Sequence, residues 1–110
     1  MQISVKSVKK VKVLNLEGKL DTQSSPEAEE HLTRLINAGE TRILINLENL
    51  DYISSSGLRV LLVVAKRLKS AGGELRICSA NDFVKEVFEI SGFATIFRTL
   101  ETEAEALKDF

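Results

Sequence analysis

The chain has 110 residues, 44% apolar and 28% charged, a balance that fits one globular domain over residues 1–110 with a buried core. Fifteen basic against 16 acidic side chains give a formal charge of −1, without the basic excess that direct nucleic-acid binding shows. No apolar run approaches the roughly 18 residues of a membrane span, and Met1-Gln2-Ile3-Ser4 has neither the charged nor the apolar region of a signal peptide, so a cytoplasmic protein without membrane insertion is expected.

Ile3 to Val8 alternates apolar and polar residues and predicts a half-exposed strand. Val11 to Glu17 predicts a second strand. The Lys9-Lys10 gap between them implies an antiparallel hairpin, although Lys-Lys is not a preferred turn pair. Gly18-Lys19-Leu20-Asp21 then leads into a polar stretch. Ser25 is read as the cap of a first helix, with Pro26 at the first helical position and Glu27, Glu29 and Glu30 at its positive end. Ala28, Leu32, Leu35 and Ile36 share one face of it, Gly39 ends it, and His31 is read as a surface residue.

Arg42 to Leu47 is a nearly continuous apolar run, the mark of a strand covered on both faces. The segment Asp51 to Leu62 follows, with three consecutive serines and Gly57 where the strand pattern gives way to a helix pattern. The helix stripe Leu58, Leu61, Leu62, Ala65 and Leu68, widened by Val60, Val63 and Val64, predicts heavy burial. Ala71-Gly72-Gly73 stops that helix. Glu74 to Cys78 reads as a strand, and Cys78 as a small buried residue. A third helix from about Asn81 is expected to bury Phe83, Val84, Val87, Phe88 and Ile90, with Gly92 closing it. Ala94 to Phe97 reads as a short last strand, and Thr102 to Glu105 has the spacing of a capping box for a terminal helix.

The order is β-β-α-β-α-β-α-β-α. This is an α/β fold with a small mixed sheet, an antiparallel edge strand and packed helices. The strands at Val11–Glu17, Arg42–Leu47 and Glu74–Cys78 are expected to run parallel. Functional crevices in such sheets lie beyond the carboxyl ends of the strands. If the second and third strands are neighbours, Asp21 and Ser56 fall close together and make one candidate site.

A helix N-terminus carries unpaired N–H groups and a partial positive charge. A serine there tolerates a covalent phosphate. Ser56 is therefore expected to start the second helix with a solvent-reachable hydroxyl, with Gly57 beside it easing the approach of another chain. The same serines also suit a plain N-cap. Asp21 likewise suits either partner recognition or support of its own loop.

Other chemistries fit poorly. A nucleophile elbow needs Gly-x-Ser-x-Gly, and neither Ser55 nor Ser56 has a glycine two residues before it. The phosphate-binding Gly-x-x-x-x-Gly-Lys-Ser/Thr and the dinucleotide Gly-x-Gly-x-x-Gly are absent. A phosphorylated-aspartate receiver would open with a β-α unit and an acidic pair, where this chain opens with a hairpin and has Asp21 alone. One cysteine and one histidine do not compose a usual zinc site. Neither a metal, a cofactor nor a catalytic residue is expected, so the protein is not read as an enzyme.

The serine junction, the apolar strand before it, Gly18-Lys19-Leu20-Asp21 and the element order resemble the STAS domain of bacterial anti-sigma factor antagonists. The family pattern at the junction is close to Asp-Ser-Ser-Gly-Leu, and this chain has Ser54-Ser55-Ser56-Gly57-Leu58. The resemblance spans nearly the whole chain. It implies an interaction module that binds an anti-sigma factor of the serine-kinase type and thereby frees a sigma factor. It further implies that the kinase phosphorylates the serine before the glycine, Ser56 (Ser55 being the second choice), and that a serine phosphatase resets the switch. Asp21, Ser54, Ser55, Ser56, Gly57 and Leu58 are the partner-binding residues this implies. The chain departs from the pattern at Ser54, which can accept a hydrogen bond but carries no charge. Alternative roles are a STAS module in a signalling scaffold or a membrane transport complex, and a small serine-dependent hydrolase.

Overall fold

The computed structural model describes the backbone of residues 1–110 and every side chain except that of Ala94. β1 (Gln2–Val8) and β2 (Val11–Leu20) form the predicted antiparallel hairpin, in register from Gln2 opposite Glu17 to Val8 opposite Val11. Lys9 and Lys10 take φ values of 48° and 71°. A two-residue turn with both φ positive matches the twist of the strands, so hairpin geometry prevails over the residues' own preference.

The chain continues through α1 (Ser25–Asn37), β3 (Arg42–Asn46), β4 (Leu50–Ile53), α2 (Ser55–Ser70), β5 (Glu74–Cys78), α3 (Asp82–Ser91), a 3-10 turn (Phe93–Thr95), β6 (Arg98–Leu100) and α4 (Glu103–Leu107). The sheet order is β1-β2-β3-β5-β6, parallel from β2 onward, with β4 also pairing β2. The expected parallel alignment and the antiparallel edge strand are both present.

Each strand of the sheet centre divides its side chains between two layers. Ile43 and Ile45 of β3 join Leu14, Leu16 and Leu61 in the main core, where α1, α2 and α3 pack. Leu44 points the other way, into a smaller core with Val11, Val13, Cys78 and Ala106 of α4. Burial of each such side chain contributes roughly 1.5–3 kcal/mol. The continuous apolar run at Ile43–Ile45 thus has the physical cause its pattern implied. Cys78 is fully buried, and desolvation pushes its thiol pKa up, which keeps it protonated.

Several features depart from the sequence expectation, among them β4, a strand absent from the expected order. The first helix begins with Ser24, not Ser25, in the capping place, and that residue makes no side-chain cap bond. His31 is half-buried rather than a surface residue. The last strand is Arg98–Leu100 rather than Ala94–Phe97: Gly92, with φ 76°, turns the chain through a 3-10 segment before it reaches β5. Phe97 serves the core instead, edge-on to Phe88 with ring centroids 5.4 Å apart. In α3 only Val84 and Phe88 are fully buried, while Phe83 and Ile90 are 46% and 79% exposed. Positions 83 and 90 share a face that turns outward, while Val87 is half-buried and packs against the main core. The expected capping of the terminal helix holds, with Thr102 Oγ1 accepting from Glu105 N–H at 3.1 Å. None of the helices among the described residues is long and apolar enough to cross a membrane.

Arg76 is a buried cation that the strand pattern concealed. Its side chain lies on the α4 side of β5, and its guanidinium donates to the carbonyls of Ala106, Lys108 and Asp109 at 2.9, 2.9 and 3.1 Å. Nε also pairs with Glu74 at 2.9 Å, and the guanidinium stacks over Phe110 at 4.2 Å. The residue straps the end of the chain to the sheet. Arg76→Ala is expected to destabilise the protein by about 2 kcal/mol, the scale of a charged hydrogen-bonding group lost from a buried site. Hydrogen exchange should show lost protection in Glu103–Leu107 before any loss in β2 or β3.

Candidate functional site at the ends of β2 and β4

The site arises because β2 is long enough to pair with two strands in succession. Lys12 to Asn15 pair with β3, and Gly18 to Leu20 pair with β4. Between β3 and β4 the chain turns at Asn46–Asn49: Asn46 Oδ1 accepts from Glu48 N–H at 2.9 Å, and Leu50 N–H reaches Leu47 carbonyl at 3.0 Å. Gly18 absorbs the break in β2. Its φ of 103° accompanies a register shift to Lys19, and its N–H reaches Asn49 carbonyl at 3.0 Å. At the far end, Ser54 N–H donates to Leu20 carbonyl at 2.9 Å. The chain leaving β4 and the chain leaving β2 therefore emerge side by side.

The three serines have three different placements. Ser54 is the N-cap of α2, its Oγ accepting from Gly57 N–H at 3.2 Å. Ser55 is the first helical residue and is exposed. Ser56 is the second helical residue, one place further in than expected. It is half-buried, and its Oγ lies 3.5 Å from Thr22 Oγ1 at the solvent-facing rim. That hydroxyl pair is at the outer limit of a hydrogen bond, so the Ser56 hydroxyl is held loosely.

Gly57 and Leu58 lie beneath this rim and are buried. Both are expected as partner contacts, and in this structure they pack inward. Gly57 is required for a different approach from the one expected. A Cβ there would stand 2.6 Å from Leu20 carbonyl oxygen and 2.7 Å from Leu20 Cγ. The close contact is with β2, and it brings the N-terminus of α2 against the loop that holds Asp21 and Thr22.

Asp21 lies in that loop, as expected, with its carboxylate occupied internally. Oδ1 accepts from Gln23 N–H at 3.0 Å, Ser24 N–H at 3.1 Å and Ser24 Oγ at 3.2 Å. The single Ser24 hydroxyl proton is shared between that carboxylate and the Lys19 carbonyl, 2.7 Å away. The Ser24 backbone N–H is the leading cause that holds the Asp21 pKa below the usual carboxylate value. A carboxyl whose pKa is lowered by folding stabilises the native state above its unfolded pKa and loses that contribution as pH falls through its folded pKa. Asp21→Asn is therefore expected to lower Tm slightly at neutral pH. The gap to wild type should close as the pH drops below the ordinary carboxylate range, as thermal melts across that range will reveal.

Two residues of the site were not singled out from sequence. Thr22 is the side-chain neighbour of Ser56, and its only sequence signal is that it follows Asp21. Asn81 caps α3 through Val84 N–H at 2.8 Å, while its Nδ2 donates to the carbonyls of Leu50 and Asp51 at 3.2 and 3.4 Å. Asn81 thereby fixes the start of α3 beside β4.

The chain is similar to known proteins in sequence and in fold. The family model for the STAS domain matches residues 2–106. BtrV of Bordetella bronchiseptica, named as a candidate anti-sigma factor antagonist, is 37% identical over 110 residues, covering 100% of this chain and 95% of that protein. The anti-sigma-B factor antagonist of Staphylococcus aureus is 37% identical over 89 residues, 80% of this chain and 82% of that protein. Among solved structures, a candidate anti-sigma factor antagonist from Thermotoga maritima superposes with a TM-score of 0.94 at 23% identity, covering 97% of this chain and 92% of that one.

Proposed function

Because this chain belongs to the STAS-domain family, we propose that residues 1–110 form one STAS domain acting as an anti-sigma factor antagonist. It binds an anti-sigma factor of the serine-kinase type and is released when that kinase phosphorylates Ser56. The observation that carries this reading is the placement of Ser56: second residue of α2, at the rim of the sheet, with Thr22 Oγ1 as its side-chain neighbour. A hydroxyl is not a base, so Thr22 cannot activate Ser56 as a nucleophile within this chain, which favours a substrate over an enzyme. In the transfer, Ser56 Oγ bonds to the γ-phosphorus of ATP and the bond to the β–γ bridging oxygen breaks. ADP leaves, and the serine proton passes to a base of the kinase.

The physical consequences agree with a switch. A phosphate adds roughly −1.5 to −2 charges. At the N-terminus of α2 those charges meet the positive end of the helix and the domain tolerates them. At an interface fitted to a neutral hydroxyl they must be desolvated, which disfavours the complex. In this scheme Asp21 acts by holding the loop that presents Thr22, Ser54 acts by capping α2, and Ser55 is the exposed neighbour. A serine phosphatase restores the binding form. The test is complex formation between the purified protein and its cognate serine-kinase anti-sigma factor in ADP, measured by calorimetry. The proposal expects saturable binding that unlabelled Ser56→Ala protein competes for. Failure of wild type and Ser56→Ala alike to bind would leave a STAS module with another task.

A further inference from the structure

We infer that the partner's docking surface extends from the serine rim along the outward face of α3, through Tyr52, Phe83 and Ile90. This rests on the reading of Ser56 as a partner contact and adds to it a second, apolar half. Tyr52 and Phe83 are stacked with ring centroids 5.6 Å apart and planes 17° from parallel, yet both remain about half exposed. Phe83 and Ile90, seven positions apart, lie on one face of the helix, with Ile90 79% exposed and Val87 between them packed against the core. Asn81 locks the start of that helix to β4, and β4 runs directly into the serine rim.

Size argues that the rim needs such an extension. A stable interface buries about 800 Å² on each partner, near one eighth of this protein's 6109 Å² surface. Thr22, Ser55 and the half-buried Ser56 are too small to supply it. The adjoining strip offers two aromatic rings and an isoleucine, the kind of side chain that carries binding energy at the centre of interfaces.

Charge argues for what the occupant looks like. Asp82, Glu86 and Glu89 are exposed beside the strip, and none of them forms an ion pair among the described residues. The complementary surface is an apolar groove edged with lysine or arginine, on the serine-kinase anti-sigma factor that also reads Ser56. Association with such a surface slows as salt rises.

The test measures binding of the cognate serine-kinase anti-sigma factor in ADP to wild type, Phe83→Ala, Ile90→Lys, Val5→Lys and Ser56→Asp. Ile90 and Val5 are both exposed, so neither lysine disturbs the core, and circular dichroism checks each fold. Phe83→Ala and Ile90→Lys are expected to weaken binding at least tenfold, with Val5→Lys, on the edge strand, unchanged. Ser56→Asp failing to bind while Phe83→Ala and Ile90→Lys bind within twofold of wild type would overturn the strip and leave the Ser56 reading intact. Wild type failing to bind would overturn both. If sedimentation shows that wild type self-associates and Ile90→Lys does not, the strip serves a second copy of this chain and the kinase assignment is wrong.

Discussion

Gly57→Val is expected to destabilise the fold by roughly 3 kcal/mol or more, the upper range for overpacking a close-packed site. A domain of this size should then lose at least about 10 °C in Tm. Two effects compete at this position. Glycine in a helix is less favourable than alanine by about 1 kcal/mol, so propensity alone would make any replacement stabilising. Contact decides otherwise. The first added carbon meets Leu20 carbonyl oxygen at 2.6 Å and Leu20 Cγ at 2.7 Å, with Ile53 Cγ1 at 3.1 Å. The carbonyl cannot swing away, because it accepts Ser54 N–H at 2.9 Å. Relief requires that α2 move off the end of β2, and that motion parts Ser56 from Thr22. Gly57→Ala should show the same effect at smaller size, since it adds only the first clashing atom. Thermal denaturation of both variants against wild type checks the order. A valine variant as stable as wild type would mean that α2 is not seated on β2 in this way.

Ser56→Asp is expected to bind the kinase at least a hundredfold more weakly than wild type while melting no lower. A carboxylate at the second helical position is favourable to α2 by about 0.3–1 kcal/mol. Burying the same carboxylate unpaired at an interface costs several kcal/mol, and about 1.4 kcal/mol corresponds to a tenfold loss. Folding and binding therefore move in opposite directions on one substitution. Ser56→Ala separates the two, since it keeps a neutral side chain and should both fold and bind. Calorimetric titration with the cognate kinase, paired with thermal melts, measures both halves. Equal binding by Ser56→Asp and wild type would remove Ser56 from the interface.

The fold was readable in the sequence where periodicity reports burial on one or two faces. Ile43-Leu44-Ile45 announced a strand covered on both sides, and the stripe from Leu58 to Leu68 announced the buried helix against it. β4 was not readable. Its four residues place only Leu50 and Ile53 inside, a spacing of three that matches neither alternation nor a continuous run. Its pairing depends on β2 continuing through Gly18, where the sequence resembled the start of a loop. α3 differs for the opposite reason: its apolar residues read as one buried face, yet Val84 and Phe88 point into the core while Phe83 and Ile90 point out. Arg76 could not be foreseen, because its partners include backbone carbonyls of α4 and of the residues that follow it, whose docking depends on the completed sheet.

The candidate site followed the same division. Asp21 and the three serines were brought to one place, as the strand order implied, although through β4 and not β3. The sequence could not assign one role per serine, since capping and phosphate acceptance ask for the same residue type. Ser54 Oγ is engaged with Gly57 N–H as the cap of α2, and Ser56 Oγ faces the hydroxyl of Thr22 at the rim. Asp21 is likewise drawn into its own turn by donors two and three residues away, a local arrangement that its spacing from Ser24 permits.

Incubating the protein with its cognate serine-kinase anti-sigma factor and ATP, then mapping the modified peptide by mass spectrometry, tests the switch most directly. The account predicts one phosphate, on Ser56, and loss of the complex in step with its appearance. Phosphate on Ser55 would move the acceptor by one residue and contradict the assignment to Ser56. No phosphate on Ser54, Ser55 or Ser56, with the complex still intact, would contradict the switch itself.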